Sequence, residues 1–125
     1  MSMLALKDVF DGIQSIKPGA KTSTATGIAV DMANCNANFI AIVPGTITDG
    51  THTPKLQECA TSGGTFTDVA AGDQVGTFAA IATDTVQMVS YIGNLRYIKV
   101  ISTVSGATTG GVYGATVYQK LRKQP

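Results

Sequence analysis

The chain has one histidine, His52, and this limits the chemistry it could perform. A serine or cysteine nucleophile needs an adjacent base, which would have to be His52, with Asp49 the nearest acid to orient it. No Gly-x-Ser-x-Gly elbow supplies the nucleophile. A zinc site wants three or four ligands, usually in local pairs, but Cys35, His52 and Cys59 fall in three separate segments. Beside the turn dipeptide Asp49-Gly50, His52 reads as an exposed loop residue. Asp49, Asp68, Asp73 and Asp84 are isolated from one another, unlike the clustered acids of a calcium loop. Glu58 and Asp68 could face each other across a hairpin as a glycosidase pair does, yet any β protein offers such a pair. The Gly106–Gly111 stretch lacks the lysine and following helix of a phosphate-binding loop. Tyr91, Arg96, Tyr97 and Lys99 form a small aromatic and basic group, read here as strand packing with a solvated basic edge rather than a nucleic-acid platform. The expectation is no enzyme, no catalytic residue, no cofactor, no metal and no small-molecule substrate.

The bulk numbers fit a binding or structural module. At 125 residues the chain is read as one domain. A net charge of +1 gives no field to draw nucleic acid or an anionic membrane. Basic residues gather at the ends: Lys7, Lys17 and Lys21, then Lys120, Arg122 and Lys123. The two cysteines make no disulfide framework and are expected as mostly buried thiols. The start is too short in apolar residues for a signal peptide, and no run approaches the ~20 apolar residues of a membrane helix. Mean hydropathy is slightly positive, which points to apolar surface buried in an oligomer or larger assembly.

The elements that must position these residues are strands. Gly, Thr and Val are abundant, and β-branched residues favour a pleated, half-buried surface. Strands are expected over 22–30, 39–43, 54–59, 65–69, 86–92, 96–104 and 112–119, with residues 75–82 ambiguous. Phe39-Ile40-Ala41-Ile42-Val43 is a continuous apolar run, as in a strand covered on both faces, and Pro44-Gly45 should close it. Gly93-Asn94 reads as a tight, positive-φ hairpin turn. After it, Arg96, Ile98, Val100, Ser102 and Val104 should share one face. Leu6, Val9, Phe10, Ile13 and Ile16 recur at helical spacing, so residues 4–16 read as a short helix or, alternatively, an extended arm. Lys17-Pro18-Gly19 would stop a helix.

The pattern predicts an all-β protein: one sandwich or jelly-roll-like barrel of about seven to eight short antiparallel strands with an N-terminal arm or short helix. The expected layout is an arm over 1–21, a β-sandwich over 22–120 and a basic tail over 121–125.

The segments Ala25–Met32, Phe39–Glu58, Gly63–Gly76 and Tyr91–Tyr118 follow an order that resembles small virion proteins of tailed bacteriophages. The Tyr-Ile-Gly-Asn-Leu-Arg-Tyr-Ile stretch from Tyr91, the Thr/Gly loop before Gly111 and the closing strand carry the likeness. Such phage proteins often have Gln-Glu-Ser-Asp-Asp where this chain has Gln57-Glu58-Cys59-Ala60, so no acidic turn is expected there.

The resemblance implies a capsid decoration, or cement, protein. It would sit on the capsid surface of a virion, having been made in the bacterial host cytoplasm. Its partners would be the major capsid protein and itself, as a homodimer or homotrimer. Within that reading, Leu4, Leu6, Val9, Phe10 and Ile13 are candidate residues of a locking arm. Lys120, Arg122 and Lys123 would meet acidic capsid surface. The alternative is a tail or baseplate component, or a carbohydrate-binding virion module.

Overall fold

A computed structural model describes residues 6, 7 and 9–121. Its strands are β1 (Phe10–Lys21), β2 (Ala25–Thr26), β3 (Val30–Asp31), β4 (Cys35–Ile47), β5 (Thr51–Cys59), β6 (Thr67–Asp68), β7 (Gln74–Val75), β8 (Gln87–Tyr91), β9 (Tyr97–Ser105) and β10 (Gly111–Leu121), with one 3₁₀ turn at Ala71–Asp73. One sheet runs β1-β10-β4-β8-β7; the other runs β2-β9-β5-β6, with β3 also on β9. Every pairing is antiparallel. The protein is an all-β sandwich, as the spacing of strands and turns predicts.

Alternation along the long strands builds the core. Ile98, Val100 and Ser102 point inward from β9 at 0 % exposure, on the face the sequence assigns them. Opposite them, Ile40 and Ile42 of β4 and Val117 of β10 close the other sheet. Burying each such aliphatic side chain contributes roughly 1.5–3 kcal/mol.

Several local expectations are corrected. The helix expected over 4–16 is replaced, from Phe10 onward, by a sheet strand, because β10 offers a ladder from Phe10↔Lys120 to Lys21↔Gly111. Bulges within Gln14–Gly19 absorb Lys17-Pro18-Gly19, so the proline bends an edge strand rather than ending an element. Pro44-Gly45 does not end β4, which continues to Ile47; Pro44 is buried opposite Tyr113. Gly93-Asn94 is not a positive-φ hairpin turn, since neither residue has positive φ. β8 and β9 belong to different sheets, and the segment between them crosses the sandwich. Gly93 serves close approach instead: a Cβ there would lie 2.5 Å from the Tyr91 hydroxyl.

Candidate interaction surface

The residues with chemical potential are held in structural bonds. His52 is 1 % exposed, not a loop residue at the surface. Its position on β5 alternates inward with Pro54 and Leu56. His52 Nε2 lies 3.0 Å from the Asp49 carbonyl, which can only accept, so Nε2 carries the proton. In the neutral ring Nδ1 then accepts from the Tyr113 hydroxyl at 3.0 Å, and Ser102 Oγ donates to that hydroxyl at 2.8 Å. Burial pushes the Tyr113 hydroxyl pKa above its usual value. The Asp49 carboxylate points elsewhere, accepting from the backbone N–H groups of Thr108, Thr109 and Gly110. The bond from Gly110 leads in holding its pKa below the usual carboxylate range. A base with both nitrogens occupied and no carboxylate partner cannot activate a nucleophile.

The paired acids separate in the same way. Gln57 sits opposite Asp68, and Glu58 opposite Thr67, so Glu58 and Asp68 project from opposite faces of the sheet. Glu58 Oε1 accepts from the Tyr91 hydroxyl across the sandwich at 2.7 Å. Desolvation first, and then that bond, pushes the Tyr91 pKa up to about 12. Asp68 is bound by Gln57 and Lys55 on the outside. No group of three metal-ligating side chains exists among the described residues. Arg96 is committed to a bidentate pair with Asp31 at 3.0 and 2.9 Å, which leads in lowering the Asp31 pKa. Lys99 lies over the Phe66 ring at 4.3 Å. Tyr91 is buried, so the aromatic and basic group presents no joint platform. Cys35 and Cys59 are not bridged to one another; Cys35 Sγ lies 3.4 Å from the Met32 carbonyl, and Cys59 is buried.

What remains is an asymmetry between the two outer faces. The β5-β9 face is polar: Thr51, Thr53, Lys55 and Gln57 lie opposite Ser105, Thr103, Ile101 and Lys99. The β10-β4-β8 face is apolar. Phe10, Phe39 and Tyr118 form a row on it, with the Phe39 ring centroid 5.7 Å from that of Phe10 and 4.9 Å from that of Tyr118. Val43 lies beside Gly114, and Met88 beside Ala41. Val75, paired with Ser90, extends the face to β7. Met88, Val75 and Val43 are 63 %, 59 % and 58 % exposed. At the registered positions on this face, Lys120 is the only charge.

The sequence-predicted contact residues distribute unevenly. Phe10 and Lys120 meet as register partners at the edge of the apolar face. Leu6 and Val9 are exposed, whereas Ile13 is partly buried against the core. Leu4, Arg122 and Lys123 lie outside the described residues. The outward residues of β4, β8 and β10 were not singled out as a surface. Their signal was the unbroken apolar run Phe39–Val43, which demands cover on two sides while the sandwich covers one.

No protein-family model matches the chain, and no curated protein matches its sequence.

Proposed function

We propose that the protein is a non-enzymatic structural component of a tailed-phage particle, docking on the outside of the capsid shell through the apolar face of β10, β4 and β8. The order of motifs across most of the chain supports the phage assignment. The observation that carries a docking role is the outer side of β4 and its neighbours: Ile40 and Ile42 face the core, while outward Val43 and Met88 are 58 % and 63 % exposed beside half-buried Phe39. Contiguous exposed apolar surface of this kind marks a protein contact. Because Val43, Met88 and Val75 are already partly covered, burying what remains of each would contribute roughly 1–2 kcal/mol. Lys120, at the rim, would meet acid on the major capsid protein.

A cement protein needs no chemistry. It stabilises the assembled shell because it binds that state and not the dissociated one, and many copies acting together multiply modest contacts. The test is size-exclusion chromatography with light scattering, with and without undecorated phage shells. Co-migration and a raised shell melting temperature are expected. Protein that elutes apart from every shell tested would remove the capsid role and favour a tail component.

A further inference from the structure

The sandwich has one long open strand edge, and it is half guarded. Among the described residues, β7, β2, β3 and β6 are two-residue strands, too short to template pairing. β1 has twelve residues and stands at the end of its sheet. From Ser15 on it is closed: Ser15 O accepts from Ile28 N at 2.8 Å, Ser15 Oγ donates to Ile28 O at 3.0 Å, and bulges with Lys17, Pro18 and Lys21 follow. From Phe10 to Gln14 none of these devices is present, and Asp11 is the only charge. The turn before it ties Phe10 N to Leu6 O and leaves the rest of this stretch bare among the described residues.

We infer that Phe10–Gln14 of β1 pairs antiparallel with the same five residues of a second copy, joining two sandwiches about a two-fold axis through Gly12. Antiparallel pairing of one segment with itself is self-complementary, as a two-fold contact requires. Charge selects the register. Centring on Asp11 would set two carboxylates opposite each other, which is destabilising. Centring on Ile13 would oppose Asp11 to Ser15, whose carbonyl is already taken. Centring on Gly12 sets Phe10 opposite Gln14 and Asp11 opposite Ile13, opposes no like charges, keeps clear of Ser15, and meets one group already bonded, the Phe10 N–H on Leu6 O. It also brings the two Phe10-Phe39-Tyr118 rows to either side of the axis. At Gly12 a Cβ would lie 3.0 Å from the Tyr118 ring, so the ring covers bare backbone where the copies meet. A two-fold normal to the sheet keeps both apolar faces on one side, giving a continuous ten-stranded surface. The pairing does not depend on what that surface binds.

The experiment uses the full chain. Light scattering should give twice the 12.9 kDa chain mass. Amide exchange by mass spectrometry should show residues 10–14 gaining protection as concentration rises. Under mild oxidation, the double variant Phe10→Cys/Gln14→Cys should form an intermolecular disulfide, because these positions become cross-strand neighbours within disulfide reach. Either single variant should not, and neither should the unmodified protein. If the double variant fails to fold, exchange on the unmodified protein decides. A monomer at the highest soluble concentration, a trimer, or a dimer whose protection maps to Val43 and Met88 instead would overturn the inference. A dimer with these signatures that ignores shells would leave it standing and remove only the capsid role.

Discussion

The Tyr113 hydroxyl, from one sheet, donates to His52 Nδ1 of the other at 3.0 Å, and this is the polar centre of the apolar interior. The bond uses the lone pair on His52 that a catalytic base would need. Ser102 completes the line, so three buried polar groups satisfy one another with no unpaired atom.

Removing the hydroxyl strands both neighbours. Tyr113→Phe leaves His52 Nδ1 and Ser102 Oγ without that partner, at a cost of about 1–3 kcal/mol. Urea unfolding should show a lower midpoint at unchanged slope. An unchanged midpoint would mean that the line of hydroxyls contributes nothing.

Acid should loosen the loop between β9 and β10. Asp49 is bound by three backbone N–H groups, which hold its folded pKa below the usual carboxylate range. A depressed carboxyl contributes stability present above the unfolded pKa and lost as pH falls through the folded one. Asp31 and Asp68 shift the same way. Stability should therefore decline below about pH 4, and Asp49→Asn should be less stable at neutral pH with a shallower acid slope. Equal acid slopes for the two proteins would dismiss Asp49 as a contributor.

Alkali should act at the other end of the sandwich. The Tyr91 pKa is raised from 10.0 to about 12. A raised pKa gives stability that is complete below the unfolded value and lost as pH rises through the folded one. Circular dichroism should show weakening between about pH 10 and 12, and Tyr91→Phe, already weaker at pH 7, should lose less across that window. An identical alkaline response in both would contradict this.

The outer faces should respond differently to charge. Met88→Lys or Val43→Asp alters an exposed position, so stability should move by only about 0.5 kcal/mol. Shell binding should fall at least tenfold. Thr53→Lys on the polar face should change neither. Equal losses on both faces would sink the assignment of the docking side.

Truncation separates the arm expectation from the observed strand. Deleting residues 1–16 removes the first half of β1 together with buried Ser15 and Ile16. Losing a buried isoleucine alone costs about 2–5 kcal/mol. The truncated protein should melt without a cooperative transition. A sharp transition near that of the full chain would restore the arm.

Strand identity was legible where alternation and turn chemistry agreed. The Ile98-Val100-Ser102 face and the turn at Asp49-Gly50 follow from a period of two and a turn dipeptide. What failed was partnership. Residues 6–16 satisfy a helical spacing, but β10 supplies a ladder along Phe10–Lys21, and tertiary pairing overrides local period. Gly93-Asn94 has hairpin composition, yet the strands on either side belong to different sheets. His52 looked like a loop residue because only the fold brings Tyr113, 61 residues away, to its ring. The apolar outer face was not legible, because it joins outward residues of β4, β8 and β10 that only register sets side by side.

Phe10 lies opposite Lys120, so the first described strand takes its only ladder from the last. On a ribosome, β1 emerges early and must wait for almost all the rest of the chain. Until Leu121 is free, its apolar residues and those of β4 have no ladder partner on that side. Closure of this sheet therefore waits for β10 to emerge, and it depends on contacts distant in sequence, which places folding in the range of about milliseconds to seconds. During that wait Phe39–Val43 is exposed on both faces, so nascent chains are most prone to aggregate before β10 arrives.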